Sequence, residues 1–421
     1  MMKVLWLTNC VIPAVSKAMG QKSHFVNEGW ISMVFDQLVS DPHIEMTIVC
    51  DQHSSMNNGS VQLFNWYTIS GDYTENKKRT IFEAILRNTQ PDIIHIWGSE
   101  YPHTLTMLQA AYSLGIKNRV VISLQGIIYA IANHYQSYLP AKAMSCLTFH
   151  DIIRRYGLVQ QEESFRFRGE YEKAAFKMAE HVIGRTDWDK YCVTRINNNL
   201  IYHKCNETLR NVFYTGEWNY EECVRHSIFI SQASYPIKGF HILLEALPKL
   251  RERYPDISVF VAGPDIVSDN TFMGRLKRSG YGKYLRGIIN KYNLWNSLHF
   301  LGPLNAEEMK KMYLKSNVFV SSSSIENSPN SVGEAMILGC PIVSSNVGGV
   351  SSIMKPGIDG LTYPADDYYM LEKEITWFFD NPSESIVMGK NARAHAKLTH
   401  DAETNRQRIV EIYSLISCEQ K

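Results

Sequence analysis

What this sequence lacks narrows its function before anything it contains. No stretch approaches the roughly 20 apolar residues that span a bilayer, so no transmembrane helix is expected. The opening run MMKVLWLTNCVIPAV is interrupted by Asn9 and Pro13 and carries only Lys3 before it, so it reads as a buried strand entering a loop rather than a signal peptide. Lysine and arginine number 43 against 42 acidic residues, a net charge of +1, which is not the basic excess of a nucleic-acid binder. The eight cysteines are scattered with no Cys-x-x-Cys pair, which argues against a zinc site and a disulfide framework and favours a reducing cytoplasm. No His, Asp or Glu set has metal-ligand spacing, and no metal is expected. No G-x-G-x-x-G follows the first apolar run; TNCVIPAVSK stands there instead, which disfavours a dinucleotide-dependent oxidoreductase.

What is present is a regular alternation. At 421 residues the chain exceeds the size of a single growing core, so two domains are expected. Strand-like runs at Lys3–Leu7, Met46–Cys50, Ile93–Trp97, Val120–Leu124 and His181–Ile183 alternate with helical patterns such as Gly29–Val39 and Leu105–Leu114. The pattern restarts at Ser227–Ser231 and runs through Phe240–Tyr254, Ser258–Ala262, Leu298–Leu301, Ala306–Ser316 and Val318–Ser321. Such alternation predicts an α/β chain of two Rossmann-like, doubly wound domains. Residues 203–226 lack clean periodicity, which places the domains at 1–210 and 211–402, with a helix over about 403–421 available to pack back on the first. Ligands of open parallel sheets sit beyond the carboxyl ends of the strands, so two such sheets predict a site in a cleft between them.

The densest chemistry lies between Ser321 and Gly349, SSSSIENSPNSVGEAMILGCPIVSSNVGG. Glu326 and Glu334 flank a short polar turn, with seven residues between them, and a helical run from Val332 to Leu338 stops at Gly339 and Pro341. Carboxylates accept hydrogen bonds from sugar hydroxyls. Backbone N–H groups at a helix start attract phosphate. Upstream, Lys238 precedes Gly239 and another helix, a position from which its ammonium can meet a diphosphate.

Together these stretches resemble the retaining glycosyltransferases of family 4, with their GT-B fold and E-x7-E motif. The resemblance rests on Glu326–Glu334 with AMILGCPIVSSNVGG, on PDIIHIWG (91–98), SYPIKGFHILLEAL (234–247), VFVAGP (259–264), LHFLGPL (298–304) and EEMKKMYLKSNVFVSSS (307–323). It implies a metal-independent hexosyltransferase of EC class 2.4, with no cofactor and a UDP- or GDP-sugar as substrate. Lys238 and Glu326 would be catalytic. By the same resemblance Glu334 accepts from the ribose hydroxyls, and the backbone of Asn327, Ser328, Pro329, Asn330, Ser331 and Val332 cradles sugar hydroxyls and phosphate. Gly29, with Gly20 as a substitute, would approach the distal phosphate.

Two positions depart from the family pattern. Ala233 stands where a phosphate-binding arginine is usual, with Ser231, Gln232 or Arg210 as candidates to compensate, and Gln125 stands where many members have histidine. Glutamine bonds a sugar hydroxyl but moves no proton, so a route with a general base there is disfavoured. Glu100 and Arg185, each just past a strand, are acceptor-facing or sugar-facing candidates alongside Gln125. His95, inside a buried strand pattern, reads as a core residue.

The implied activity is retaining transfer of a sugar to a hydroxyl of a glycan or lipid-linked acceptor in surface polysaccharide assembly. Alternatives are a sugar-nucleotide epimerase of the same fold or a catalytically silent nucleotide-sugar binding protein. Residues 130–170 break the alternation and are aromatic and locally basic, with Lys142, Arg154, Arg155, Arg166 and Arg168. They read either as a solvated helical insertion or as a surface that meets a lipid-linked acceptor or makes a peripheral contact with the inner face of the cytoplasmic membrane.

Overall fold

The computed structural model describes residues 1–21, 29–53, 55–268 and 278–418. They form two α/β units, one of residues 1–130, 166–210 and 400–421, the other of residues 131–165 and 211–399.

The first unit is built on eight strands: β1 (Met2–Thr8), β2 (Ile44–His53), β3 (Asn57–Val61), β4 (Phe64–Ser70), β5 (Ile93–Trp97), β6 (Val120–Ser123), β7 (His181–Gly184) and β8 (Ile201–Lys204). Their order is β3-β4-β2-β1-β5-β6-β7-β8, and all neighbours are parallel except the antiparallel β3–β4 pair. Strands β5, β6 and β7 are buried along their whole length, which is why they read as unbroken apolar runs. From β1 the chain goes to β2 on one side and later returns to β5 on the other, so the β1/β5 junction is a topological switch point.

The second unit carries β9 (Val224–Ile230), β10 (Ser258–Ala262), β11 (Leu298–Gly302), β12 (Ser316–Ser321), β13 (Ile342–Ser345) and β14 (Leu361–Tyr363), ordered β11-β10-β9-β12-β13-β14 and parallel throughout. Its switch point is β9/β12.

Two differences from the sequence reading concern assignment. Residues 131–165 belong with the second unit, because Tyr135, Leu139, Ala143 and Leu158 are buried in its core with Phe240, Leu243 and Tyr281. The second unit closes at Thr399 rather than at 402, while the helix Ala402–Cys418 lies with the first unit, the placement that the sequence left open for residues 403–421. There Tyr413 is fully buried and its hydroxyl accepts from Trp6 Nε1 at 2.9 Å. Strands β3, β4, β8 and β14 went unread: β3, β8 and β14 are short, β3 and β8 are largely exposed, and the first half of β4 is only partly buried, so no clean apolar alternation marks them.

Candidate functional site

In the second unit the two loops that leave the switch-point strands carry the motif residues. After β9 the chain turns through Gln232, whose Oε1 accepts from the Ala233 N–H (3.0 Å), the Ser234 N–H (3.1 Å) and the Ser234 hydroxyl (2.9 Å). A single 3-10 turn, Pro236–Lys238, then meets the helix Phe240–Arg253 through Gly239, which holds φ +65°. A Cβ on Gly239 would come within 1.7 Å of the Ser322 carbonyl oxygen, so only glycine lets the two loops approach this closely. Ser322 Oγ in turn donates to the Lys238 carbonyl at 2.9 Å, and the Ser324 N–H donates to that of Ile237 at 2.8 Å.

These contacts bring the ends of the two loops together. Lys238 Nζ donates to Glu326 Oε1 at 2.5 Å, and the Ser323 hydroxyl donates to the same oxygen at 2.6 Å. Neither charge is lost to the interior: the lysine side chain is 31% exposed and the glutamate 14%. The backbone of Glu326 is fixed from the other direction, its carbonyl accepting from the Gly349 N–H at 3.0 Å. Gly348 packs so tightly there that a Cβ would lie 2.0 Å from that oxygen.

Asn327, Ser328 and Pro329 lead into the helix Asn330–Leu338, and Pro329 is its N-cap, with no side-chain capping bond. The first-turn N–H groups that start the helix therefore lack the serine or aspartate cap that usually meets them. Ser331 and Val332 lie in that first turn, Val332 donating to the Pro329 carbonyl at 3.0 Å. Glu334 follows on the same helix and is 4% exposed, its Oε2 accepting from the Tyr313 hydroxyl at 3.2 Å. Tyr313 itself packs edge-on against Phe229 and Phe319, which fixes the acceptor's position. Ser234, Tyr235 and Pro236 also line a cavity of about 450 Å³ that Asp265, Arg278, Tyr156 and Gln161 help to close. The sequence reading missed Ser323 and Tyr313. Ser323 is one of four consecutive serines, and nothing singles it out; Tyr313 sits on the apolar face of an amphipathic helix and reads as core.

In the first unit the polar groups gather at the β1/β5 switch point and the adjacent strand ends. Gly98, Ser99 and Glu100 follow β5. Ser99 Oγ donates to Glu172 Oε1 at 2.6 Å, and the Tyr129 N–H donates to Glu172 Oε2 at 2.9 Å. Burial pushes the Glu172 carboxyl up to about 8, with the Glu100 charge adding to the rise. Burial likewise pushes Glu100 up to about 7, against the pull of Arg168 and Arg185. Two buried carboxyls that feel each other's charge therefore hold protons near neutral pH. Glu172 lies in mid-helix, where no sequence pattern distinguishes it.

Arg185 follows β7 and is buried, forming an ion pair with Glu207 and donating to the Leu124 carbonyl (3.1 Å) and to Gln125 Oε1 (3.0 Å). It thereby positions Gln125. His95 is fully buried, with Nδ1 2.6 Å from the Tyr413 hydroxyl and Nε2 2.7 Å from Ser123 Oγ, and burial lowers it to about 3. It is a core residue, neutral near pH 7. His103 Nδ1 and Lys78 Nζ each lie 2.8 Å from Asp51 Oδ2 in a buried cluster. Gly29 starts the helix Gly29–Val39, the residues just before it, 22–28, lie outside the described ones, and Gly20 takes φ +70°. Arg210 falls in the first unit. Among the described residues no group of three or more His, Cys, Asp or Glu could hold a metal ion.

With this geometry in place, the similarities to known proteins fall on the same regions. Residues 224–395 match the family model described as glycosyl transferases group 1. A D-inositol 3-phosphate glycosyltransferase of Corynebacterium urealyticum is 26% identical over 177 residues, 42% of this chain. The chain spans 40% of that relative's length. Among solved structures, a sucrose-phosphate synthase from Thermosynechococcus elongatus superposes with a TM-score of 0.70 at 16% identity, covering 100% of both chains. The Anabaena protein HepE, in complex with UDP and glucose, superposes with a TM-score of 0.66 at 15% identity over 98% of this chain and 100% of its own. The fold is GT-B: two Rossmann-like α/β units with parallel sheets.

Proposed function

We propose that this chain is a retaining glycosyltransferase of the E-x7-E type, family 4. It would move a sugar from a nucleotide-diphosphate sugar to a hydroxyl of a glycan or lipid-linked acceptor in surface polysaccharide synthesis. The observation that carries the reading is the meeting of Lys238 and Glu326 at 2.5 Å beside the uncapped start of the helix Asn330–Leu338. A cation, a carboxylate and oriented N–H dipoles at one switch point suit a donor with an anionic leaving group and a hydroxyl-rich transferred group. The match of residues 224–395 to glycosyl transferases group 1 supports it, as does the UDP and glucose found with HepE.

In the proposed reaction the anomeric C–O bond to the diphosphate breaks while the acceptor oxygen bonds to the anomeric carbon on the same face. The acceptor's proton passes to a leaving phosphate oxygen, and the nucleoside diphosphate departs with the bonding pair. Negative charge grows on the diphosphate along this path. Lys238 and the N–H groups near Asn330 stabilise it more in the transition state than in the ground state, which lowers the barrier. Glu326 orients the sugar hydroxyls, and Glu334, held by Tyr313, accepts from the ribose. Gln125 supplies hydrogen bonds to the sugar and no proton transfer. The reaction is proposed to proceed without metal or cofactor, on the cytoplasmic side.

Calorimetry with UDP, GDP and their sugars, followed by donor turnover with and without a lipid fraction, tests the reading. Tight binding of one nucleotide sugar and its consumption on adding acceptor are expected. Binding without donor hydrolysis or transfer would instead assign a binding protein, the reading that the missing cation at Ala233 favours.

A further inference from the structure

The short helix Phe149–Arg154 is turned inside out. Its polar residue faces inward: Asp151 is 2% exposed, caps the helix through the Thr148 N–H, and accepts from the Gly280 N–H at 2.7 Å. The Thr148 hydroxyl donates to the Arg278 carbonyl at 2.7 Å, so the element is clamped to the second unit by polar bonds. Its apolar residues face outward. Phe149 is 71% exposed, Ile152 65% and Ile153 62%, at the i, i+3, i+4 spacing of one helical face, and Tyr156, just past the left-handed turn at Arg155 that ends the helix, is 50% exposed. Met144, Leu147 and Val159 extend the exposed apolar surface on both sides.

An exposed patch of this kind marks a contact surface. The charge around it selects the partner. Lys142, Arg154 and Arg155 are exposed, and the one acidic residue between positions 141 and 159, Asp151, is buried in its cap. Exposed basic residues within and beside an aliphatic and aromatic stretch match an anionic lipid surface, with apolar side chains entering the acyl boundary and arginines meeting the headgroups. No helix among the described residues is long and apolar enough to cross a membrane, so this contact would lie in the interface plane. We infer that residues 142–159 form a docking face for anionic membrane. The inference is independent of the transfer reaction.

Co-sedimentation of the full chain with vesicles tests it. Binding to phosphatidylglycerol-containing vesicles is expected, with little to pure phosphatidylcholine and a marked loss at high salt. Ile152→Ser/Ile153→Ser and Arg154→Glu/Arg155→Glu should each lower vesicle partition by about tenfold or more. Both pairs are exposed, so thermal unfolding and nucleotide binding should be unchanged. Three outcomes would overturn the inference: no binding to anionic vesicles, equal binding by the variants, or a dimer in light scattering that the serine variant abolishes while vesicles bind neither form. A failure here leaves the nucleotide-sugar reading untouched, because donor binding is measured separately.

Discussion

Lys238 and Glu326 stand 88 residues apart in sequence and 2.5 Å apart in space, joined by the loops that leave the two switch-point strands. Their separation follows from strand order. β9 and β12 are neighbours only because the chain winds outward to β10 and β11 before crossing back.

Because the two groups act as one unit, their losses should not add. Lys238→Ala and Glu326→Ala are each expected to lower turnover by about two decades or more. The double variant should fall little further than the worse single one. Steady-state donor consumption by the three variants measures this, and near-normal rates in both singles would remove the site assignment.

Glu334→Gln keeps the side chain's shape but removes its charge. A charged acceptor strengthens a hydroxyl hydrogen bond, so nucleotide affinity should fall about tenfold. Calorimetric Kd values for the nucleoside diphosphate check it, with an unchanged Tm showing that the Tyr313 contact survives.

Gly239→Ala should be among the most damaging small substitutions. It adds a Cβ within 1.7 Å of a backbone oxygen and forces a non-glycine residue to φ +65°. A loss of at least about 2 kcal/mol is expected from the αL conformation and the displaced loop together. Denaturant unfolding reads the loss directly.

The carboxyl pair of the first unit predicts an alkaline weakening. Glu100 and Glu172 hold their protons up to about 7 and about 8 when folded, against an ordinary 4.5. Their contribution to stability is complete below pH 4.5 and is lost as pH rises through 7 and 8, because the unfolded carboxyls ionise first. Glu172→Gln should flatten this decline and stabilise the chain at pH 8 by roughly 1–3 kcal/mol. Thermal unfolding between pH 5 and 9 would show it; a parallel decline in parent and variant would rule it out.

Arg185→Met removes a buried cation that pairs with Glu207 and the donor to Gln125 Oε1, and should cost about 1–3 kcal/mol. Replacing both partners with methionine should recover much of that loss. Unfolding of the single and double variants decides whether the pair acts structurally, through Gln125, or mainly by balancing charge.

The sequence made the parallel sheets legible, because fully buried strands leave apolar runs, and it marked the helix Asn330–Leu338 of the candidate site by its bounding proline and glycine. It did not reveal where residues 131–165 pack. Tyr135, Leu139, Ala143 and Leu158 show that they are apolar enough to bury, but not which core receives them. Partners such as Tyr313 and Glu172 were equally silent, since a side chain's hydrogen bond across elements has no local signature. His95 was readable as core because both neighbours in its strand are isoleucine. Its two buried hydroxyl partners, Tyr413 and Ser123, come from distant parts of the chain.

The hydrogen bond between Trp6 and Tyr413 has a consequence for the order of folding. The chain passes between units at residues 130/131, 165/166, 210/211 and 399/400. Strand β1 thus takes a packing partner from 407 residues further along the sequence. Until that partner is in place Trp6, which lies fully inside the finished unit, has no Tyr413 hydroxyl to accept from its indole. The second unit, whose residues end at 399, can close earlier. The first unit is therefore complete only when the segment that follows residue 399 has folded back onto it.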